Sequence, residues 1–200
     1  MRLGIFGGSF DPVHSAHLAI ARACQQQAKL DEVWFTPTAI QPLKHKGPCA
    51  SDSHRSEMLR FAIQDEPTWR VCTIEIDRGG FSYTVDTLRQ IREELPETDL
   101  FFLIGADALH DVAKWKEPRE IFRMATPLVV CRAAQLLPDI DRLAQLCTAD
   151  TQPQSIEMPA MDVSSSEIRH RVAVGEAIDE LVPNAVAAYI AQHGLYRQPA

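Results

Sequence analysis

Two histidines three residues apart, His14 and His17, follow closely on a Gly7-Gly8 pair. Residues three apart on a first helical turn share one face. Imidazole donates a hydrogen bond or carries positive charge near neutral pH, which suits charge building up on a phosphate. The paired glycines let backbone approach a ligand closely. Ser9, Phe10, Asp11 and Pro12 turn the chain into a helix, whose start offers N–H groups and a positive dipole end. The competing account is a strand–turn–helix corner with two surface histidines. The glycines, the turn and both histidines fall on one corner, and that coincidence favours an anion site. The stretch is neither G-x-G-x-x-G nor a Walker loop, because no Lys-Ser/Thr follows the glycines.

A second anion site is legible near the other end of the chain. Ser164, Ser165 and Ser166 stand at a predicted helix start, and Arg169 lies about one turn later. The alternative there is a well-capped helix with an exposed arginine. Four further stretches hold groups of interest. The loop 37–47 carries Thr38, Lys44 and Lys46, a phosphate-facing loop or merely a solvated one. In Gly79–Leu88, Ser82 or Thr84 is the expected helix cap, with Tyr83 between them. Gly105 and Asp107 suit contacts to a ribose or a phosphate-bound metal. Trp115, flanked by Lys114 and Lys116, is a stacking platform or a partly exposed core residue.

The elements that must position these groups alternate. Apolar, strand-like runs are Leu3–Phe6, Glu32–Thr36, Arg70–Ile74, Leu100–Ile104, Pro127–Cys131 and Ser155–Met158. Helical patterns fall at Ser15–Gln27, Ser53–Gln64, Thr84–Glu94, Ala106–Val112 and Pro118–Met124, with a weaker one at Asp139–Leu146. Strands apolar throughout, alternating with helices, predict an α/β fold: one Rossmann-like, doubly wound parallel sheet with helices on both faces. The part from 163 to 196 reads as helical, at Ser164–Val174, Glu176–Leu181 and Pro183–His193, with Gly175 and Gly194 as C-caps. The whole chain, 1–200, is expected to form a single domain. The Gly7–His17 corner then lies at the carboxyl end of the first strand, where such folds bind ligands.

Composition narrows the classes. The 200 residues, 46% hydrophobic and 24% charged, suit one sizeable core. A net charge of −7 argues against general nucleic-acid binding, so phosphates must meet locally gathered donors. No apolar run is long enough for a membrane span, and no signal peptide opens the chain. Five scattered cysteines without a C-x-x-C pair fit neither a disulfide framework nor a thiolate zinc site. A cytoplasmic protein is expected, as a monomer or small homo-oligomer. Cys72 and Cys131 read as small core residues.

The stretch from Gly7 to His17 resembles the nucleotidyltransferase signature Gly-Gly-(Ser/Thr)-Phe-(Asp/Asn)-Pro-x-His-x-Gly-His, with Ala16 in place of the last glycine. Val163 to Arg169 is similar to that superfamily's second signature, Ile-Ser-Ser-Thr-x-Ile-Arg. Several other segments resemble the bacterial nicotinate-nucleotide adenylyltransferases. These are His54-Arg55-x-x-Met58-Leu59, Ser82-Tyr83-Thr84-x-Asp86-Thr87-Leu88, Ile104-Gly105-Ala106-Asp107, Trp115, and the ending Tyr189-Ile190-x-x-x-Gly194-Leu195-Tyr196. That family's Pro-Pro-His-Lys is Gln41-Pro42-Leu43-Lys44 here, so the motif keeps its cation and has Leu43 in place of its histidine, with His45 nearby. The resemblance implies transfer of AMP from ATP to nicotinate mononucleotide, giving nicotinate adenine dinucleotide and pyrophosphate. It implies catalytic roles for His14, His17 and Arg169. Contacts to ATP and its phosphates are implied for Gly7, Gly8, Ser9, Phe10, Lys44, Gly105, Asp107, Ser165 and Ser166. Contacts to the mononucleotide are implied for Thr38, Tyr83, Thr84 and Trp115. Mg²⁺ would be carried by the phosphates, with no protein ligands. Three other readings compete: an adenylyl- or cytidylyltransferase for another acceptor, a nicotinamide-preferring enzyme, and a non-catalytic nucleotide binder.

Overall fold

The computed structural model describes residues 1–43, 47–109, 111–132 and 140–197, and only the backbone of residues 106, 107 and 132. Among them, six strands form one sheet: β1 (Arg2–Gly8), β2 (Glu32–Pro37), β3 (Trp69–Val71), β4 (Asp99–Gly105), β5 (Ala125–Arg132) and β6 (Gln154–Met158). Every pairing is parallel, in the order β3-β2-β1-β4-β5-β6. This is the doubly wound Rossmann-type order, and its direction reverses between β1 and β4.

Helices follow the strands: α1 (Ser15–Gln27), α2 (Asp52–Ile63), α3 (Ile74–Arg78), α4 (Thr84–Glu94), α5 (Ala106–Leu109), α6 (Pro118–Met124), α7 (Ile140–Ala144), α8 (Ser165–Val174) and α9 (Asn184–His193). Strand side chains alternate between two cores, as period two requires. Phe6, Phe101 and Leu103 face one core, with Val33, Phe35, Met58, Ile168 and Ile190. Ile5, Phe102 and Ile104 face the other, with Val85, Leu88, Ile91 and Phe122. The helical C-terminal part therefore packs on the same side of the sheet as α1 and α2.

Four boundaries differ from the sequence expectation, each for a local reason. The third strand stops at Val71, and Ile74–Arg78 is helical. The Ile74-Glu75-Ile76 alternation imitates a strand. Thr73 instead closes a helical turn, its Oγ1 donating to Asp77 Oδ2 at 2.7 Å, and Gly79 at φ 69° ends that helix. The Ala106–Val112 helix breaks at Leu109, and a short 3₁₀ turn, Val112–Lys114, replaces its end. Glu176–Leu181 is not a helix. Gly175 at φ 77° terminates α8, and only one turn forms, with Leu181 and Val182 N–H both reaching Ile178 O. The weak 139–146 pattern yields a helix over Ile140–Ala144 alone, and Asp139 lies outside the described residues. All five cysteines are free; Cys131 is buried as expected, whereas Cys72 is only half-buried.

Ile168 is fully buried and ties α8 to the core, whereas Val174 on the same helix is 52% exposed. Ile168→Ala should lower unfolding free energy by roughly 2–4 kcal/mol, and Val174→Ala by less than about 0.5. Urea melts of the two variants check this.

Candidate active site

Gly8 ends β1, and a Cβ there would stand 2.9 Å from the Phe10 ring. Phe10 takes a left-handed backbone (φ 45°) and is 1% exposed, its ring packed edge-on to Phe6 and against His17 and Phe35. The Phe10 side chain therefore shapes the turn as a core residue and does not reach for a phosphate. Below the turn lies a charge that the sequence placed in a family segment but gave no role. Arg55, on the buried stripe of α2 with Met58 and Leu59, is 0% exposed. Its guanidinium donates to Ser9 O and Thr38 O, both at 2.6 Å, and to Asp52 Oδ1 at 2.6 Å. One fork thus holds the loop after β1 against the loop after β2. Its sequence signal was a charge at the i position of an apolar i, i+3, i+4 stripe.

His14 and His17 converge as expected. Their rings stack with centroids 3.7 Å apart, and the His14 N–H donates to His17 Nδ1 at 3.2 Å. That bond leaves the His17 hydrogen on Nε2. His14 is 6% exposed, burial holds its pKa down at about 4, and its Nδ1 has no partner. The ring is therefore neutral near pH 7 and acts through hydrogen bonding, not charge. The helix end itself offers less than the sequence suggested: Ser15 N–H donates to Leu181 O and His17 N–H to His14 O, both at 2.9 Å.

The two ends of the chain meet at this corner. Arg169 Nη1 donates to the backbone oxygen of Asp11 at 2.6 Å, and its Nη2 to Ser166 Oγ at 3.2 Å. The Asp11 carboxylate accepts from Cys49 N at 2.6 Å, Ala50 N at 3.1 Å and Tyr196 O–H at 2.8 Å. Burial and the Asp11 charge push the Tyr196 hydroxyl far above its ordinary pKa. Ser165 donates to Pro12 O at 2.9 Å. Its hydroxyl thereby staples the start of α8 to the corner. Ser164, not Ser165 or Ser166, caps α8, accepting from Glu167 N at 3.2 Å.

Beside the corner, between the carboxyl ends of β1 and β4, lies a cavity of about 200 Å³. Gly7, Gly8, Thr38, Tyr83, Thr84, Gly105 and Trp115 line it. Trp115 is pinned edge-on to Phe102 (5.9 Å) and stacked near Phe122 (6.4 Å). Thr38 Oγ1 is buried without a partner. Neither Ser82 nor Thr84 caps α4. Tyr83 is the N-cap, and Ser82 Oγ accepts from Ala39 N at 2.9 Å, joining two loops. Glu75, unforeseen from sequence, also lines the cavity. It is 5% exposed and accepts from Thr87 Oγ1 at 2.7 Å. Burial raises its pKa, opposed by the Thr87 and Ser82 hydroxyls and the Arg78 charge. Ser9 Oγ reaches Gln41 Oε1 at 3.4 Å. Lys44 and the Asp107 side chain lie outside the described residues. Among the described residues, no three His, Cys, Asp or Glu side chains gather as metal ligands. No described helix is long and apolar enough to cross a membrane.

A six-stranded parallel sheet with a phosphate-type corner at its switch point defines the class, and a cytidylyltransferase-like family model matches residues 5–171. The chain is 42% identical over 197 residues to a Thermus thermophilus protein named "Probable nicotinate-nucleotide adenylyltransferase", covering 98% of this chain and 100% of that one. A Dehalococcoides mccartyi protein of the same name is 39% identical over 200 residues, covering 99% and 98%. The chain belongs to the nicotinate-nucleotide adenylyltransferase family. In fold it is similar to a Plasmodium falciparum nicotinic acid mononucleotide adenylyltransferase complexed with NaAD, with a TM-score of 0.79 at 20% identity, covering 98% of this chain and 97% of that one.

The buried His14 makes a pH prediction. Its folded pKa, about 4, lies below the ordinary 6.5, so folding excludes the proton. Stability from this group is intact above pH 6.5 and falls as pH drops toward 4. Wild type should lose about 2 kcal/mol more than His14→Asn between pH 7 and pH 5, measured by urea unfolding at both values.

Proposed function

We propose that this protein transfers the adenylyl group of ATP to nicotinate mononucleotide, forming nicotinate adenine dinucleotide and pyrophosphate. The stacked His14–His17 pair carries the reading. It stands at the start of α1 after β1, three residues beyond the Asp11 oxygen that Arg169 binds, while Gly7 and Gly8 of the same corner line an aromatic cavity. A phosphate oxygen of the mononucleotide attacks the α-phosphorus of ATP. The bond from that phosphorus to the bridging oxygen breaks, and pyrophosphate leaves with the electron pair. The nucleophile is already an anion, so no general base is needed. The protein's task is to bring two repelling anions into line and to meet the charge on the reacting phosphorus.

His14, as a neutral ring, and His17 donate hydrogen bonds to the phosphates at the transition state. Arg169, with part of its fork anchored on Asp11 O and Ser166, holds the leaving β,γ-phosphates. Gly7, Gly8 and Gly105 border the nucleotide, while Thr38, Tyr83, Thr84 and Trp115 form the acceptor's end. The corner's N–H groups and imidazoles suit phosphate oxygens and not a hard cation, and the Asp11 carboxylate is occupied. Mg²⁺ would enter on the triphosphate and lower its charge.

Pyrophosphate release from ATP and Mg²⁺, with nicotinate and nicotinamide mononucleotides as parallel acceptors, tests the reading. Release with the nicotinate form, and little with the other, is expected. Binding of ATP without release would make the protein a non-catalytic binder. His17→Ala should lower kcat by about 100-fold or more, as loss of a transition-state donor does, with little change in ATP affinity. Trp115→Ala should raise the KM for the mononucleotide more than that for ATP; equal effects would mark Trp115 as a packing residue only.

A further inference from the structure

The acceptor cavity has a polarity that the motifs do not describe. Lys116 follows the Trp115 platform and lines the same cavity as Tyr83 and Thr84, the N-cap and first residue of α4. Its ammonium stands 4.8 Å from the Tyr83 ring centroid. Asp86 holds it there through two contacts, 2.9 and 3.1 Å. An ammonium has three N–H donors, so these contacts leave one for a further acceptor. Asp86 is itself shared with Arg89, 3.6 Å away, so its charge is divided between two cations. The α4 end faces the same space, and a helix start favours negative charge. On the opposite count, Glu75 is the carboxylate among the described side chains of the wall, and its Oε2 has no partner.

From this arrangement we infer that Lys116 is a specificity-determining residue, pairing with an anionic substituent on the acceptor's aromatic ring. The inference rests on the acceptor assignment above and goes one step further, to the group that reads the ring. Trp115, Lys116 and Glu75 line the same cavity of about 200 Å³. An N-linked pyridinium ring is cationic and its carboxylate substituent anionic. The ring's positive end suits the Glu75 side of the wall, and its negative substituent suits Lys116. A carboxamide in the carboxylate's place gives the ammonium a weaker, uncharged acceptor. The Tyr83 ring and the Asp86 carboxylate hold the ammonium beside the cavity.

The test compares Lys116→Gln and Lys116→Arg with wild type. The readout is the ratio of kcat/KM for nicotinate over nicotinamide mononucleotide, with KM for ATP as control and thermal melting to confirm folding. Lys116→Gln should lower that ratio by about tenfold, mainly through the nicotinate KM. Lys116→Arg, which keeps the charge, should retain most of the ratio. An unchanged ratio in a folded Lys116→Gln protein overturns the inference, as does an equal loss with both acceptors. A wild-type ratio near one would instead overturn the acceptor assignment, so the two failures are distinguishable.

Discussion

Asp11 is the residue on which the site depends. Its backbone oxygen receives the Arg169 fork across 158 residues of sequence. Its carboxylate takes two backbone N–H groups just ahead of α2 and the Tyr196 hydroxyl from the end of the chain. It is 4% exposed, so water cannot replace those donors. Unpairing any of them leaves a buried charge short of a hydrogen bond, a cost of about 1–3 kcal/mol or more. The three-residue spacing from Asp11 to His14 means that whatever fixes Asp11 also fixes the stacked imidazoles. An exposed turn could not hold two rings in one alignment against an incoming triphosphate.

Arg55 extends the same logic beneath the turn. A fully buried guanidinium binds the carbonyls of Ser9 and Thr38, with Asp52 as a half-exposed counter-ion. Removing one partner from such an arrangement is costly, typically about 3–5 kcal/mol. The result is a frame made of loops, at the carboxyl end of the sheet where the strand order reverses between β1 and β4. Catalysis by positioning needs such a frame, since small misplacements of reacting groups cost much of the rate. The acidic protein therefore gathers donors at one place and does not depend on its overall charge.

The fold was legible because its strands are apolar on both faces. Ile5 and Phe6 enter opposite cores, which is the pattern of a covered parallel sheet. Boundaries failed where periodicity was ambiguous, as at Ile74-Glu75-Ile76, or where an expected helix closed only one turn, as over 176–181 beyond the correctly expected Gly175 cap. Site legibility followed the same division. His14, His17 and Arg169 carry their chemistry in residue type and spacing, so the sequence exposed them. Asp11, Arg55 and Glu75 act through burial and distant partners, and no local window contains the groups that Asp11 and Glu75 meet. Phe10 and Ser165 show the converse. Both sit inside signatures, yet one fills the core and the other donates to Pro12 O.

In the proposed reaction the protein aligns two phosphates and does not itself become bonded to either. The stereochemical course at the α-phosphorus addresses this directly. The substrate would be ATP carrying sulfur in place of one α-oxygen, with known configuration, and the product dinucleotide's configuration would be read by ³¹P resonance. A single in-line displacement predicts inversion. Retention would require two displacements and a covalent intermediate on the protein, and would contradict the account.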